Sequence, residues 1–170
     1  MLSWRFKTKK TSVADILEGE LSNTIHAWLK LVEEDLDLAL IPLNFDERTG
    51  HLPRLLKDVI TRLRLDKDTR SLDSVAASHH GKLRYKQGYT LGMLVDESRI
   101  LEVCIFSMLD RNQSRLVFSK LLPSIAIIAD EVDAQLKQHA RYFLPDESVQ
   151  KKGSPKPGRT RNPLGKRYSH

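Results

Sequence analysis

Residues 77–103 read ASHHGKLRYKQGYTLGMLVDESRILEV and contain two predicted helices joined by a short turn. On both sides of the turn, apolar residues recur three or four positions apart, which is the spacing of an α-helix. We expect the first helix to end near Gly88 and the second to run from about Thr90 to Met108. Because the link between them is short, the two helices are predicted to be antiparallel neighbours.

The apolar residues also predict which face of each helix is buried. The second helix is apolar nearly all round, which favours a central position in the fold. Its predicted inner face consists of Leu94, Leu101, Cys104, Ile105 and Met108. The predicted inner stripe of the first helix consists of Leu72, Val75, Ala76, His79 and Leu83.

The rest of the chain has the same periodicity. One long helix is predicted over Ser12–Val32, with Ser12 as its N-cap and in spite of Gly19. Another is predicted over Leu52–Leu63, with Pro53 in its first turn.

A last helix carries apolar residues from Leu121 to Phe143, starts or bends near Pro123 and ends before Pro145. No segment alternates between apolar and polar residues as a half-buried strand does. The sequence therefore predicts an all-α domain over residues 12–145, a bundle of five or six helices.

Composition narrows the class of protein. The chain has 170 residues, 40% of them apolar, which suits one domain with a real core. Its apolar runs are only a few residues long, so neither a membrane span nor a signal peptide is predicted. The lone Cys104 excludes an internal disulfide framework and a cysteine-rich zinc site, and it is predicted to be an inert core residue. We expect a soluble, cytoplasmic protein.

The net charge of +6 is divided unevenly along the chain. All 22 acidic residues lie between Asp15 and Glu147, whereas residues 1–10 hold four basic residues and residues 151–170 hold seven. Residues 11–150 consequently carry 17 basic and 22 acidic residues, a net charge of −5. The positive charge belongs to the two ends and not to the predicted bundle.

Residues 1–11 are accordingly interpreted as a basic N-terminal segment, and residues 146–170 as a disordered basic tail rich in proline and glycine. Either the tail is a solubilising terminus, or it is an electrostatic arm for nucleic acid or another polyanion. The residues that would contact a polyanion are Lys151, Lys152, Lys156, Arg159, Arg161, Lys166 and Arg167.

The candidate functional site lies in the quoted stretch. On a helical wheel, His79 falls within the apolar arc, while His80, Arg84 and Gln87 form a polar stripe at its edge. Glu97 falls between Leu94 and Leu101, so its carboxylate is predicted to point inward. A buried carboxylate needs a partner, and the short turn brings His79, His80 or Arg84 within reach.

Three interpretations of this cluster remain open. It is a buried polar pair that fixes the register of the helices, or a ligand pocket or protonation switch, or the acid and base of an enzyme. The enzyme ranks last, because no nucleophile or cofactor motif accompanies Glu97. We predict no catalytic residue, no metal site and no cofactor; His79 is interpreted as a core residue and not as a haem ligand, and Trp28 as core packing.

The run from His80 to Glu102 resembles a known family pattern: a histidine-glycine step, an arginine four residues after the histidine, a glycine followed by an aromatic residue, and a long helix with an acidic pair and an arginine. This pattern is similar to that of the all-helical N-terminal sensor domain of RsbRD-type (RsbT co-antagonist) proteins, which also precedes many bacterial histidine kinases. The Trp28 helix and HLPRLL, residues 51–56, support the resemblance. It covers roughly residues 12–145.

The resemblance implies a cytoplasmic sensory or regulatory domain without enzymatic activity, often dimeric, in bacterial signal transduction. Related stressosome sensor domains look like globins that have lost haem, so a globin-like bundle without haem is one implied form of the fold. Such domains normally feed a C-terminal STAS or kinase module, whereas this sequence has only a basic tail there. If the chain is complete, it is expected to act on a separate kinase, STAS or response-regulator partner. The alternative is a nucleic-acid-associated protein that uses the basic tail. The candidate ligand or switch cluster consists of His79, His80, Arg84, Gln87, Tyr89 and Glu97.

Overall fold

The structure is a computed structural model that describes residues 10–65 and 69–144. Within these ranges it is all-α, with one isolated parallel bridge between Thr11 and Leu116 and no strand. The helices are α1 (Val13–Gly19), α2 (Leu21–Glu34), α3 (Phe45–Thr49), α4 (Leu52–Arg64), α5 (Val75–Lys86), α6 (Leu91–Arg111) and α7 (Phe118–Ala140). Six of them have seven residues or more, so the predicted all-α bundle of five or six helices is confirmed.

The single long helix predicted over residues 12–32 is wrong, because the chain breaks into α1 and α2 at Gly19 and Glu20. Ser12 caps α1 as predicted, with its hydroxyl oxygen accepting a hydrogen bond from the Asp15 amide at 3.1 Å. Glycine is among the weakest helix formers, and a break there lets both halves turn an apolar face inward. Leu17 before the break and Trp28 after it are both fully buried.

Helix α7 is the element against which much of the bundle packs. It contacts α4, α5 and α6, while α6 also packs against α1 and α2. The predicted inner face of α6 is confirmed, because all five of its predicted residues are buried. Helix α7 begins at Phe118, upstream of Pro123, and Pro145 lies outside the described residues.

The buried face of α7 differs from the apolar stripe that the sequence predicts. Leu122 is 71% exposed, whereas four polar residues face the interior: Glu131, Gln135, Gln138 and His139. Three of them bind backbone groups of distant segments. Gln135 Nε2 donates to the Leu55 carbonyl at 3.1 Å, Glu131 accepts from the Leu72 amide at 3.0 Å, and Gln138 accepts from the Ser74 amide at 2.9 Å. These hydrogen bonds hold α4 and the segment between α4 and α5 against α7.

The inner stripe predicted for α5 is wrong at Val75 and His79, while Leu72, Ala76 and Leu83 are half-buried. Val75 is 86% exposed and His79 is exposed, whereas the buried residues of α5 are Ala77, His80, Gly81 and Arg84. Small residues are at the interface because α5 and α7 approach closely. A Cβ atom at Gly81 would lie 2.5 Å from the Cα atom of His139, which is closer than side chains and backbone tolerate.

Among the helices described, none has the length and apolar content that crossing a membrane requires. Lys10 and Thr11 are tied to the bundle, since Lys10 Nζ donates to the Ser114 carbonyl at 3.1 Å and the Thr11 amide to the Arg115 carbonyl at 2.9 Å. The rest of the basic N-terminal segment and the whole predicted tail lie outside the described residues.

Candidate functional site

Charged and aromatic polar side chains from four helices meet in the interior of the bundle. His51 immediately precedes α4, His80 and Arg84 lie on α5, Glu97 lies on α6 and His139 lies on α7. We call these five residues the buried centre. Arg84 is 0% exposed, His80 2%, Glu97 4% and His139 5%, while His51 is half-buried. Ionisable groups at such depth require partners within the protein.

Arg84 and Glu97 form a buried, two-pronged ion pair. Arg84 Nη2 lies 2.6 Å from Glu97 Oε1, and Arg84 Nε lies 3.1 Å from Oε2. The other guanidinium hydrogens point to the carbonyls of Glu47 and Arg48, at 3.1 and 2.8 Å, and to the Gln87 amide oxygen at 2.9 Å. All five donors of the arginine are thereby used. The pair joins α5, α6 and α3.

The turn between α5 and α6 brings Tyr89 to this ion pair. Gly88 has a φ of +86°, and the amides of Gly88 and Tyr89 donate back to the carbonyls of Tyr85 and Arg84. This is the Schellman ending of a helix, for which glycine is favoured because other residues rarely adopt a positive φ. Tyr89 is 4% exposed, and its ring centre lies 4.8 Å from the guanidinium carbon of Arg84. The glycine-aromatic step of the sequence thus closes one side of the centre.

The three histidines of the centre contact one another. The rings of His51 and His80 are stacked with their centres 3.7 Å apart, and His139 meets His80 edge-on at 4.5 Å. His80 Nε2 lies 3.2 Å from Glu97 Oε2. Burial lowers the pKa of His51, of His80 and of His139, in the last case to about 3. All three imidazoles are therefore neutral near neutral pH.

Glu97 is ionised despite its burial. Burial alone would raise its pKa, but the hydrogen bond with His80, followed by the charge and the hydrogen bonds of Arg84, outweighs this effect and holds the pKa below its ordinary value. Because Glu97 is a carboxylate, His80 Nε2 is assigned as the donor in their hydrogen bond. The Trp28 indole nitrogen donates to the backbone carbonyl of Glu97 at 3.1 Å, which holds this turn of α6 in place.

A small cavity of about 20 Å³ lies among these side chains and is lined by His51, His80, Glu97 and His139, among others. Such a volume has room for one water molecule or one ion. Three buried ring nitrogens have no partner in the described residues: Nδ1 of His51, Nδ1 of His80 and Nε2 of His139. Unsatisfied buried polar atoms are rare in proteins and point to a missing occupant.

His51 lines both this cavity and a surface groove. The groove has a volume of about 270 Å³, and its other lining residues include Asp46, Glu47, His79 and Gln87. Two acidic residues therefore line a groove that adjoins the side chain of His51.

The structure brings together five residues of the predicted cluster, namely His80, Arg84, Gln87, Tyr89 and Glu97. Glu97 is inward as predicted. His79, which is predicted to face inward, is exposed and lies outside the buried centre. The face of α5 that packs against α7 contains His80 instead. The seven basic tail residues predicted to contact a polyanion lie outside the described residues.

Sequence reasoning missed His51, His139 and Arg48. Arg48 is 5% exposed and donates to the Tyr89 hydroxyl at 3.4 Å. The inward direction of His139 could have been predicted from the sequence, because it lies three residues after Leu136 in the helical repeat of apolar residues. His51 is visible only as part of HLPRLL. Cys104 is buried as predicted, and burial raises its thiol pKa to about 11, so it stays protonated.

The neutral histidines predict that the metal-free protein loses stability in mild acid. Their pKa values are lowered in the folded state, so below the ordinary value of 6.5 the unfolded chain takes up protons that the folded chain does not. This stability is fully present above pH 6.5. We expect the free energy of unfolding to fall by about 1 kcal/mol per pH unit between about pH 6 and pH 5 through His139, whose pKa is lowered to about 3, and to fall further through His51 and His80. Urea unfolding in the presence of a chelator measures it, and a flat profile over that range contradicts the prediction.

Comparison of the chain with protein-family models, with curated proteins and with solved structures found no match. The resemblance to RsbRD-type sensor domains consequently stays a prediction.

Proposed function

We propose that this chain is a non-catalytic regulatory domain of bacterial signal transduction, which binds a protein partner or a small ligand and transmits the state of its buried centre to its surface. The observation that supports the proposal best is the meeting of α4, α5, α6 and α7 at one charged, buried site. Packed interiors switch between discrete arrangements and do not deform continuously. A change in the centre therefore shifts helices whose outer faces are exposed.

The residues that carry the family resemblance support this proposal. His80 and Arg84 bind Glu97, Gly81 allows α5 to approach α7, and Gly88 turns the chain so that Tyr89 covers the ion pair. These parts of the pattern thus have a physical role in one site, whereas Asp96 and Arg99 lie outside it. We propose on this basis that the chain is an RsbRD-like sensor domain, cytoplasmic and homodimeric, whose partner is of the kinase, STAS or response-regulator type.

The state of Glu97 favours regulation over catalysis. Both of its carboxylate oxygens accept hydrogen bonds from Arg84, and the pKa of Glu97 is lowered. A general base works best with a pKa near the working pH and with a free oxygen facing its substrate. Glu97 has neither property, so we interpret it as the anchor of the centre.

Cross-linking of the full chain in its source organism, followed by mass spectrometry of the captured proteins, tests the proposal. We expect a kinase, STAS or response-regulator protein to be enriched by the native chain and by His79→Gln, and to be depleted by His51→Gln, which alters the centre. Sedimentation of the purified chain is expected to give twice its mass of 19.5 kDa. Capture of nucleic acid alone, with a steep salt dependence, would instead support the alternative function of the basic tail. Equal capture by all three chains contradicts a role for the centre.

A further inference from the structure

We propose that the buried centre binds one divalent transition-metal ion, with His51, His80 and Glu97 as its protein ligands. The inference rests on the proposed regulatory function, since it names the ligand of that same site. It also departs from the sequence-based expectation of no metal site. That expectation considered one stretch of chain, whereas the ligands come from three helical segments.

The positions of the donor atoms carry the proposal. One ring nitrogen each of His51 and His80 and one carboxylate oxygen of Glu97 lie within 4.8 Å of one another. His80 Nε2 and Glu97 Oε2 are 3.2 Å apart, close to the about 3.3 Å between two ligands that bind one tetrahedral ion at about 2.0–2.1 Å. A rotation of the half-buried His51 ring out of its stack with His80 supplies the third ligand.

The side chains suit a transition metal. Imidazole nitrogens and carboxylate oxygens are common ligands of such ions, and the ring of His51 stacks on that of His80 beside Glu97. When the ion replaces the hydrogen bond between His80 and Glu97, the proton of His80 moves to its other ring nitrogen, so no proton is lost and the imidazole stays neutral. Two imidazoles with one carboxylate favour zinc, iron, cobalt, nickel or copper over magnesium or calcium, which prefer oxygen ligands.

Arg84 positions the carboxylate for this role. It donates to Oε1 at 2.6 Å and to Oε2 at 3.1 Å, and Oε2 also faces His80 Nε2 at 3.2 Å. A carboxylate oxygen has two lone pairs, so Oε2 can accept this outer hydrogen bond and still bind an ion. The charge of Arg84 opposes a cation, and the charge of Glu97 offsets it.

His139 and the unpartnered nitrogens provide an independent observation. His139 lines the same cavity, is 5% exposed and has a buried Nε2 atom without a partner in the described residues. The cavity has room for one ion, and His51 also lines a groove that contains the acidic residues Asp46 and Glu47.

The test uses the full, untagged chain, freed of metal by a chelator and titrated with Zn²⁺ or with Co²⁺, whose visible absorption reports its coordination. We expect one ion per chain and a Co²⁺ spectrum of low coordination number with nitrogen and oxygen ligands. His51→Gln is expected to weaken binding at least ~100-fold. His79→Gln, which alters the exposed neighbour of His80, serves as the matched control and is expected to change affinity less than ~3-fold.

Circular dichroism checks that the His51→Gln variant is folded. We expect it to fold, because His51 is half-buried and lies outside the helices, directly before α4. Equal binding by His51→Gln and the native chain, or no saturable binding by the native chain, overturns the inference. If His51→Gln loses the metal but still captures the same partner, the metal site stands and the regulatory function fails. The two proposals are therefore tested separately.

Discussion

Replacing Glu97 by glutamine is expected to lower the free energy of unfolding by about 3–5 kcal/mol. The substitution keeps the shape of the side chain but removes its charge, and it leaves the guanidinium of Arg84, which is 0% exposed, without a counterion. A buried charge that loses its partner is strongly destabilising, because no water replaces the lost interaction. Urea unfolding followed by circular dichroism measures the effect.

The matched control is Asp96→Asn, which removes the neighbouring carboxylate of the same helix. The Asp96 side chain is 41% exposed and lies 3.7 Å from Arg99, so the change is expected to stay within ~0.5 kcal/mol. A double variant with Arg84→Met and Glu97→Leu removes both charges and is expected to recover part of the loss. Equal stability of Glu97→Gln and Asp96→Asn contradicts the central role of the ion pair.

Replacing Gly81 by alanine is expected to destabilise the fold by at least ~3 kcal/mol, the upper part of the range for overpacking. The new Cβ atom would lie 2.5 Å from Cα and 2.6 Å from the carbonyl oxygen of His139, so α5 and α7 have to separate. Their separation also moves His139 away from His80. The measurement is again equilibrium unfolding in urea.

Gly19→Ala is the control for this substitution, because no atom lies within 4 Å of the position its Cβ would take. It is expected to leave stability unchanged or to raise it by up to ~1 kcal/mol, through a smaller loss of chain entropy on folding. If Gly81→Ala is as stable as Gly19→Ala, the close approach of α5 and α7 is not required for the fold.

The sequence predicts the helices and one half of the site well. Glu97 lies between two apolar residues of a strongly patterned helix, so its inward direction follows from the wheel alone. On α5 the same reasoning fails, because the inner face consists of small and polar residues while Val75 and Tyr85 are exposed. Counting apolar residues there selects the wrong face and with it the wrong histidine.

The other half of the site depends on contacts between distant parts of the chain. His51 and His139 reach His80 only after α4 and α7 have packed on α5, and no local pattern contains this information. The break between α1 and α2 has a similar cause. Gly19 weakens the helix only modestly, and the burial of Leu17 and Trp28 on separate helices decides where it breaks.

The polar inner face of α7 has a consequence for biosynthesis. Helix α7 leaves the ribosome after every other described helix, and at about 5–20 residues per second His139 follows Glu97 by about 2–8 seconds. During that interval Leu55 and Leu72 lack the bonds that Gln135 and Gln138 later make to them, and the centre lacks one wall. We therefore expect the domain to complete its fold only after translation has passed α7.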